Sequence, residues 1–151
     1  MRRPDKEKTK KVLLIAAAAV AAAFPAGMTF AGAHDDQTLH WTLVATVQPG
    51  QADAVVPLVT KMAETNRANE PGTLVYEYMQ ADETIHIYER YSDSAAALEH
   101  LGNFGANFAA DFLTVFAIES ISIYGPAGDD LKAALEGLPV TYMEKIAGFA
   151  R

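Results

Sequence analysis

No cysteine occurs anywhere in the 151 residues. That absence removes thiol nucleophiles, iron–sulfur centres, cysteine-based zinc sites and a lipoprotein anchor. It also removes disulfides, so the fold has to be held by its core. Basic residues are scarce beyond position 33, where only Lys61, Arg67, Arg90, Lys132, Lys145 and Arg151 remain. A phosphate backbone needs clustered Lys and Arg, so this balance argues against nucleic acid as a partner. It also leaves no basic face for anionic lipid. No apolar run reaches the roughly 20 residues of a membrane-spanning helix; the run from Val12 to Phe24 has 13. Neither an HExxH, a GxSxG, a glycine-rich phosphate loop nor a dinucleotide fingerprint occurs.

What the N-terminus does have is the pattern of a secretory signal. Arg2, Arg3, Lys6, Lys8, Lys10 and Lys11 precede that apolar run, which is followed by Pro25 and a small-residue site at Ala31-Gly32-Ala33. Cleavage after Ala33 is the reading adopted, with residues 1–33 as signal peptide and a secreted or periplasmic product of residues 34–151 that has no membrane contact. The alternative is an uncleaved anchor. Residues 1–33 hold six basic and two acidic groups, so their removal takes the formal charge from −7 to −11. Roughly 118 residues are then enough to bury about two-thirds of the unfolded chain's surface. Cleavage at that point also exposes His34, whose amine and imidazole could chelate copper with Asp36 or His40 completing the site.

Leu39 to Val47 alternates as a strand, with Leu39, Trp41, Leu43, Ala45 and Val47 on one face. The spacing of Val55, Leu58, Val59 and Met62 predicts a helix from about Asp53, its N-cap, to Ala68, with Pro57 in or just past the first turn. Asn69-Glu70-Pro71-Gly72 stops it. Two further alternating runs, Thr73–Gln80 and Glu83–Tyr91, flank a turn at Ala81-Asp82 and predict an antiparallel hairpin. Asp93, with Ser92 and Ser94, can cap the next helix. Its stripe of Leu98, Leu101, Phe104, Phe108, Phe112 and Val115 is interrupted by Gly102 and Gly105, which predicts two helices or one bent helix. A strand from Ile118 to Tyr124 follows, then a short helix capped by Asp129, and a tail with Tyr142, Met143, Ile146 and Phe149 as apolar anchors. The order β-α-β-β-α-β is α+β and ferredoxin-like, an antiparallel sheet with helices on one face and a C-terminal helical extension over residues 126–151. None of the strands has a consistently polar side, so the second face of the sheet should be an apolar, aromatic interface.

The turn and strand Pro71-Gly72-Thr73-Leu74-x-Tyr76-Glu77, the strand His86-Ile87-Tyr88-Glu89-Arg90-Tyr91, and the series Asp93, Ala95 to Ala97, His100 together resemble the antibiotic biosynthesis monooxygenase (ABM) domain family. The likeness is to its small quinol-monooxygenase-like members and covers about residues 39–125. It implies a homodimer in which a second copy covers the open sheet face to form a dimeric α+β barrel. It also implies a cofactor-independent monooxygenase, without metal or flavin, that oxygenates a small quinol or polyphenolic aromatic substrate with dioxygen. Haem degradation by related domains goes with a Trp near the second strand pair; here the one Trp is Trp41.

Histidine is the side chain that titrates near neutrality unperturbed. By resemblance, His100 borders the substrate cavity and is the catalytic base; the alternative is a boundary His packed on Phe104. Tyr76 and Tyr88 are candidate hydroxyl donors. His86 is a second candidate base, and Glu89 an acid that orients a ring nitrogen or pairs with Arg90. Trp41, Tyr78, Arg90, Phe104 and Phe108 are candidate substrate-binding residues, since pockets are largely apolar with a few polar groups. A non-catalytic barrel that holds a small hydrophobic ligand in the cell envelope is the competing reading.

Overall fold

The structure, a computed structural model, describes residues 37–148. The signal-like segment, His34, Asp36 and Phe149 lie outside the described residues. The elements are β1 (Leu39–Val47), α1 (Ala52–Asn69), β2 (Thr73–Ala81), β3 (Thr84–Tyr91), α2 (Ser94–Asn107), α3 (Ala109–Val115), β4 (Phe116–Tyr124), α4 (Asp129–Ala134) and β5 (Val140–Met143). Among the described residues no helix is long and apolar enough to cross a membrane.

The sheet runs β2-β3-β1-β4-β5. Each of its first four strands is antiparallel to its neighbours among them, which is the ferredoxin-like arrangement. The fifth adds a strand that the expected helical extension did not include, because after α4 the chain pairs parallel to β4, Ile121 with Val140 through Tyr124 with Met143. Tyr142, Met143 and Ile146 are accordingly exposed and are not anchors. What anchors the extension is α4. Leu131 and Leu135 are buried, and the Gly128 N–H donates to Ser94 Oγ (2.9 Å) at the start of α2.

Strand alternation decides what faces the helices. Every odd residue of β1 is buried, as are Ile85, Ile87, Glu89 and Tyr91 of β3. Register then aligns Tyr76, Glu89, Trp41 and Ile123 in one row across the helix-facing side, and Tyr78, Ile87, Leu43 and Ile121 in the next. The opposite side carries Val44, Val75, Met79, Tyr88 and Tyr124 among Thr42, Thr84, His86 and Ser122, so it is more polar than expected. There His40 stacks on Tyr124, with ring centroids 4.8 Å apart.

The helices depart from expectation only at their ends. The first starts at Ala52 with Gln51 as N-cap and no side-chain cap, and Asp53 lies in its first turn. The hairpin turns at Asp82-Glu83, with Asp82 at φ 53°. Asp93 caps α2 as expected, its carboxylate accepting from the Ala96 N–H at 2.8 Å. The break between α2 and α3 falls at Phe108, not at Gly102 or Gly105.

Candidate functional site

Pro71 shapes the site first. The residue before a proline avoids helical geometry, so α1 ends at Asn69, and Glu70 caps it with its N–H donating to Asn66 O at 2.8 Å. Gly72 then lets the turn press against the first turn of α2, where a Cβ would stand 2.5 Å from Ala96 Cβ. The turn carries Glu70 under α2. Its Oε2 accepts from Thr73 Oγ1 (2.8 Å) and meets His100 Nδ1 (2.8 Å), and its Oε1 accepts from Asn103 Nδ2 (3.2 Å).

On the other edge of the imidazole, Nε2 lies 3.4 Å from Glu89 Oε2. Glu89 accepts a short hydrogen bond from the Tyr91 hydroxyl. All three charged residues are nearly inaccessible, at 4 % for Glu70 and Glu89 and 3 % for His100. Aromatic rings pack around the imidazole, with centroids of Tyr76 and Tyr91 at 5.4 Å, Trp41 at 6.2 Å and Phe104 at 6.3 Å.

These contacts set the charges. Burial pulls the His100 pKa down, but the charge of Glu89 and then the hydrogen bond and charge of Glu70 outweigh it, so His100 is raised above its ordinary 6.5. Burial pushes Glu70 up, yet the hydrogen bond and charge of His100 and the donors Thr73 and Asn103 bring it below its ordinary 4.5. Glu89 is raised above 4.5 by burial, against the pull of His100, Tyr91 and Trp41. Burial likewise raises Tyr76, Tyr78 and Tyr91 above 10, so these phenols keep their protons and act as donors. Tyr76 and Tyr78 bond each other at 2.8 Å, and Tyr78 reaches Met62 Sδ at 3.8 Å.

A cavity of about 60 Å³ opens beside the ring. Its floor is the two sheet rows, its roof His100, Leu101, Phe104 and Phe112, and its end wall Ala134, Leu135 and Leu138 from α4 and the turn after it. At about 15 Å³ per water it holds roughly four waters, so a ring-sized guest has to displace side chains.

Of the residues singled out in the sequence, His100, Tyr76, Glu89, Trp41, Tyr78 and Phe104 all line this cavity. His86, Tyr88 and Arg90 do not, because they alternate with Glu89 on β3 and so occupy the opposite face of the sheet. Phe108 is also elsewhere. It sits at the α2–α3 break, beneath Lys61 Nζ at 5.6 Å from its ring centre, and lines a separate polar groove. Sequence reasoning missed Glu70, Tyr91, Thr73 and Asn103. Glu70 was readable only as a helix stop; the visible signal was an ionisable residue held immediately before a Pro-Gly turn.

No curated protein matches this sequence. Among solved structures, MupZ from Pseudomonas fluorescens superposes with a TM-score of 0.68 at 23 % identity, over 76 % of this chain and 95 % of that one. A conserved protein from Methanosarcina mazei gives 0.51 at 18 % identity, over 60 % and 93 %. A Bacteroides thetaiotaomicron protein gives 0.51 at 9 %, over 58 % and 96 %. At these identities the likeness is one of fold. Residues 41–107, the segment that supplies most of β1 through α2 and every charged group around His100, match the family model for antibiotic biosynthesis monooxygenase.

Proposed function

We propose that the protein is a cofactor-independent monooxygenase that oxygenates a small phenol or quinol in the cavity beneath α2. The observation that carries this reading is the unequal engagement of the imidazole. Nδ1 is held at 2.8 Å by Glu70, whereas Nε2 is 3.4 Å from Glu89, longer than a good hydrogen bond. Nε2 therefore has capacity for a substrate hydroxyl, and Glu89 supplies the negative charge that favours the imidazolium formed when the ring takes that proton.

The remaining parts follow from the wall. The Tyr76 and Tyr78 hydroxyls, kept protonated by burial, can donate to the phenolate oxygen. The phenolate gives electrons to dioxygen. One oxygen atom bonds to a ring carbon and the other leaves as water, so a quinol plus dioxygen yields a hydroxyquinone plus water. The apolar walls keep bulk water from the reduced oxygen species. Export by the N-terminal signal, and a homodimer formed through the outer face of the sheet, belong to the same proposal.

Oxygen uptake by residues 34–151 against a panel of quinols and polyphenols is the test, with His100→Asn as control. Uptake above spontaneous oxidation that collapses in the variant is the expected result. Saturable binding of the same compounds without uptake would instead support a ligand-holding barrel, a reading that the small, mainly apolar cavity favours.

A further inference from the structure

Glu70 is a buried acid to which the proposed chemistry gives no task beyond holding a ring. Its position suggests one. Glu89 and His100 face the apolar cavity, and Glu70 does not. Glu70 instead lines a polar groove of about 310 Å³ on the other side of the imidazole, together with Asn66, Asn103 and Asn107 between α1 and α2. The imidazole is thus a partition, with Glu89 in the apolar space and Glu70, together with the exposed Glu99, in the groove.

We propose that His100 and Glu70 form a proton relay between the cavity and water in the groove, with Glu70 as its outer, proton-carrying member and Glu89 as the charge that favours the imidazolium. On the outward half, the substrate O–H bond breaks and its proton bonds to Nε2. The Nδ1 proton passes to Glu70 Oε2, and the carboxylic acid so formed gives it to groove water. The return half runs the same path backward. Groove water protonates Glu70, Glu70 protonates Nδ1, and Nε2 gives its proton to reduced oxygen as water forms. The ring recovers its first tautomer and no net proton is stored. Without this route a proton would have to cross the apolar space that the substrate fills.

The surroundings suit a single path. The titratable groups around the ring are Glu70 at the end of α1, Tyr76 on β2, and Glu89 and Tyr91 on β3. All are acids. The tyrosines remain protonated, so the two glutamates are the acceptors, and of these Glu70 reaches the groove.

The relay rests on the oxygenase reading for the identity of its proton donor only, so its test does not use turnover. In protein with ¹⁵N-labelled histidine, the Nδ1–H of His100 is assigned by its loss in His100→Asn, and its exchange with solvent is measured in wild type and Glu70→Gln. Glu70→Gln retains a hydrogen-bond acceptor at the same place but cannot carry a proton. The relay predicts exchange slowed by about tenfold or more, the lower end of what a positioned acid–base group contributes. Unchanged or faster exchange, as a merely structural role or a loosened site would give, overturns it. Should Glu70→Gln fail to fold, Asn107→Trp, on the exposed side of the groove, is measured in the same way; slowed exchange supports the relay and unchanged exchange overturns it. Slowed exchange in a protein that never consumes oxygen would sink the oxygenase reading and leave the relay standing.

Discussion

Glu70 Oε2 and His100 Nδ1 stand 2.8 Å apart across thirty residues of sequence, brought together by a Pro-Gly turn that ends one helix and lies flat on the start of another. The pair is the structural centre of the site as well as its chemical one. Removing one partner of a buried ion pair leaves an uncompensated charge and typically costs about 3–5 kcal/mol. His100→Ala would strand Glu70 and Glu89 together, so loss of activity in that variant would be confounded with unfolding. His100→Asn keeps a donor where Nδ1 stood. It is expected to cost less stability than His100→Ala, because one hydrogen bond to Glu70 is kept, while turnover falls by about a hundredfold or more. Denaturant unfolding and oxygen uptake on the same preparation check both halves, and full turnover in a folded His100→Asn would remove the base.

The same pair predicts how stability follows pH. Glu70 is lower in the fold than its ordinary 4.5, so it stabilises the native state above that value, and the contribution disappears as pH falls through the folded value. His100 is higher than its ordinary 6.5. Its contribution is complete below 6.5 and disappears as pH rises through the raised value. Glu89, also raised, contributes fully below its ordinary 4.5 and loses that contribution as pH rises above it, which draws the maximum toward the acid end. Unfolding free energy should therefore be greatest around the interval from about 4.5 to 6.5 and fall on both sides. In Glu70→Gln the acid decline should flatten. Urea titrations across pH would show this, and an acid limb parallel to that of wild type would contradict the ion pair.

Gly72 tests the turn that makes the contact. A Cβ there would lie 2.5 Å from Ala96 Cβ and 3.3 Å from Ser92 Oγ, so Gly72→Ala forces the turn and α2 apart and should cost about 1–3 kcal/mol, as overpacking does. Ala96→Gly removes the facing atom. The double variant should recover much of the loss, beyond the sum of the separate effects, and a purely additive pair would show that this contact does not set the turn.

Much of this fold was legible because it rests on alternation. The odd residues of β1 and the set Ile85, Ile87, Glu89 and Tyr91 follow from a period of two, and the Asp93 cap and the stop of the first helix before Pro71-Gly72 follow from local chemistry. The same rule already implied that His86, Tyr88 and Arg90 could not share a cavity with Glu89. Residue chemistry drew the two faces into one candidate set; the pleat separates them. Glu70 was not legible, because its role depends on which helix the Pro-Gly turn touches, a tertiary fact with no periodic trace. The fifth strand was missed for a related reason. Val140 to Met143 is short and ordinary in composition, and it becomes a strand by pairing with the edge that β4 offers.

The proposed homodimer makes a separate prediction on the outer face. Val44 lies on the central strand there, paired with His86 on one side and Ser120 on the other. A charge at this position should disrupt a second copy while leaving the helix-facing core untouched. Val44→Lys is expected to convert a dimer to a monomer in sedimentation velocity with little change in the protein's own folding; an identical sedimentation profile in both proteins would place any self-association elsewhere.

The cavity's end wall comes from outside the family-matched segment, and this bears on specificity. Leu135 is buried and Leu138 half-buried at the closed end, carried there by α4. Because the space beside His100 is only about 60 Å³, the wall rather than the base sets the length of the guest. Leu138→Ala removes three carbons at a site that is not fully enclosed, so the expected loss of stability is about 1–2 kcal/mol, below the usual range for a core leucine. The gain should be in binding. Two-ring phenols should bind more tightly relative to one-ring phenols by about tenfold, since one to two buried methylenes are worth about that much, with no change in the pH dependence set by Glu70 and His100. Isothermal titration of both ligand sizes against wild type and Leu138→Ala measures the ratio. If the ratio stays constant, α4 closes the fold without gauging the substrate.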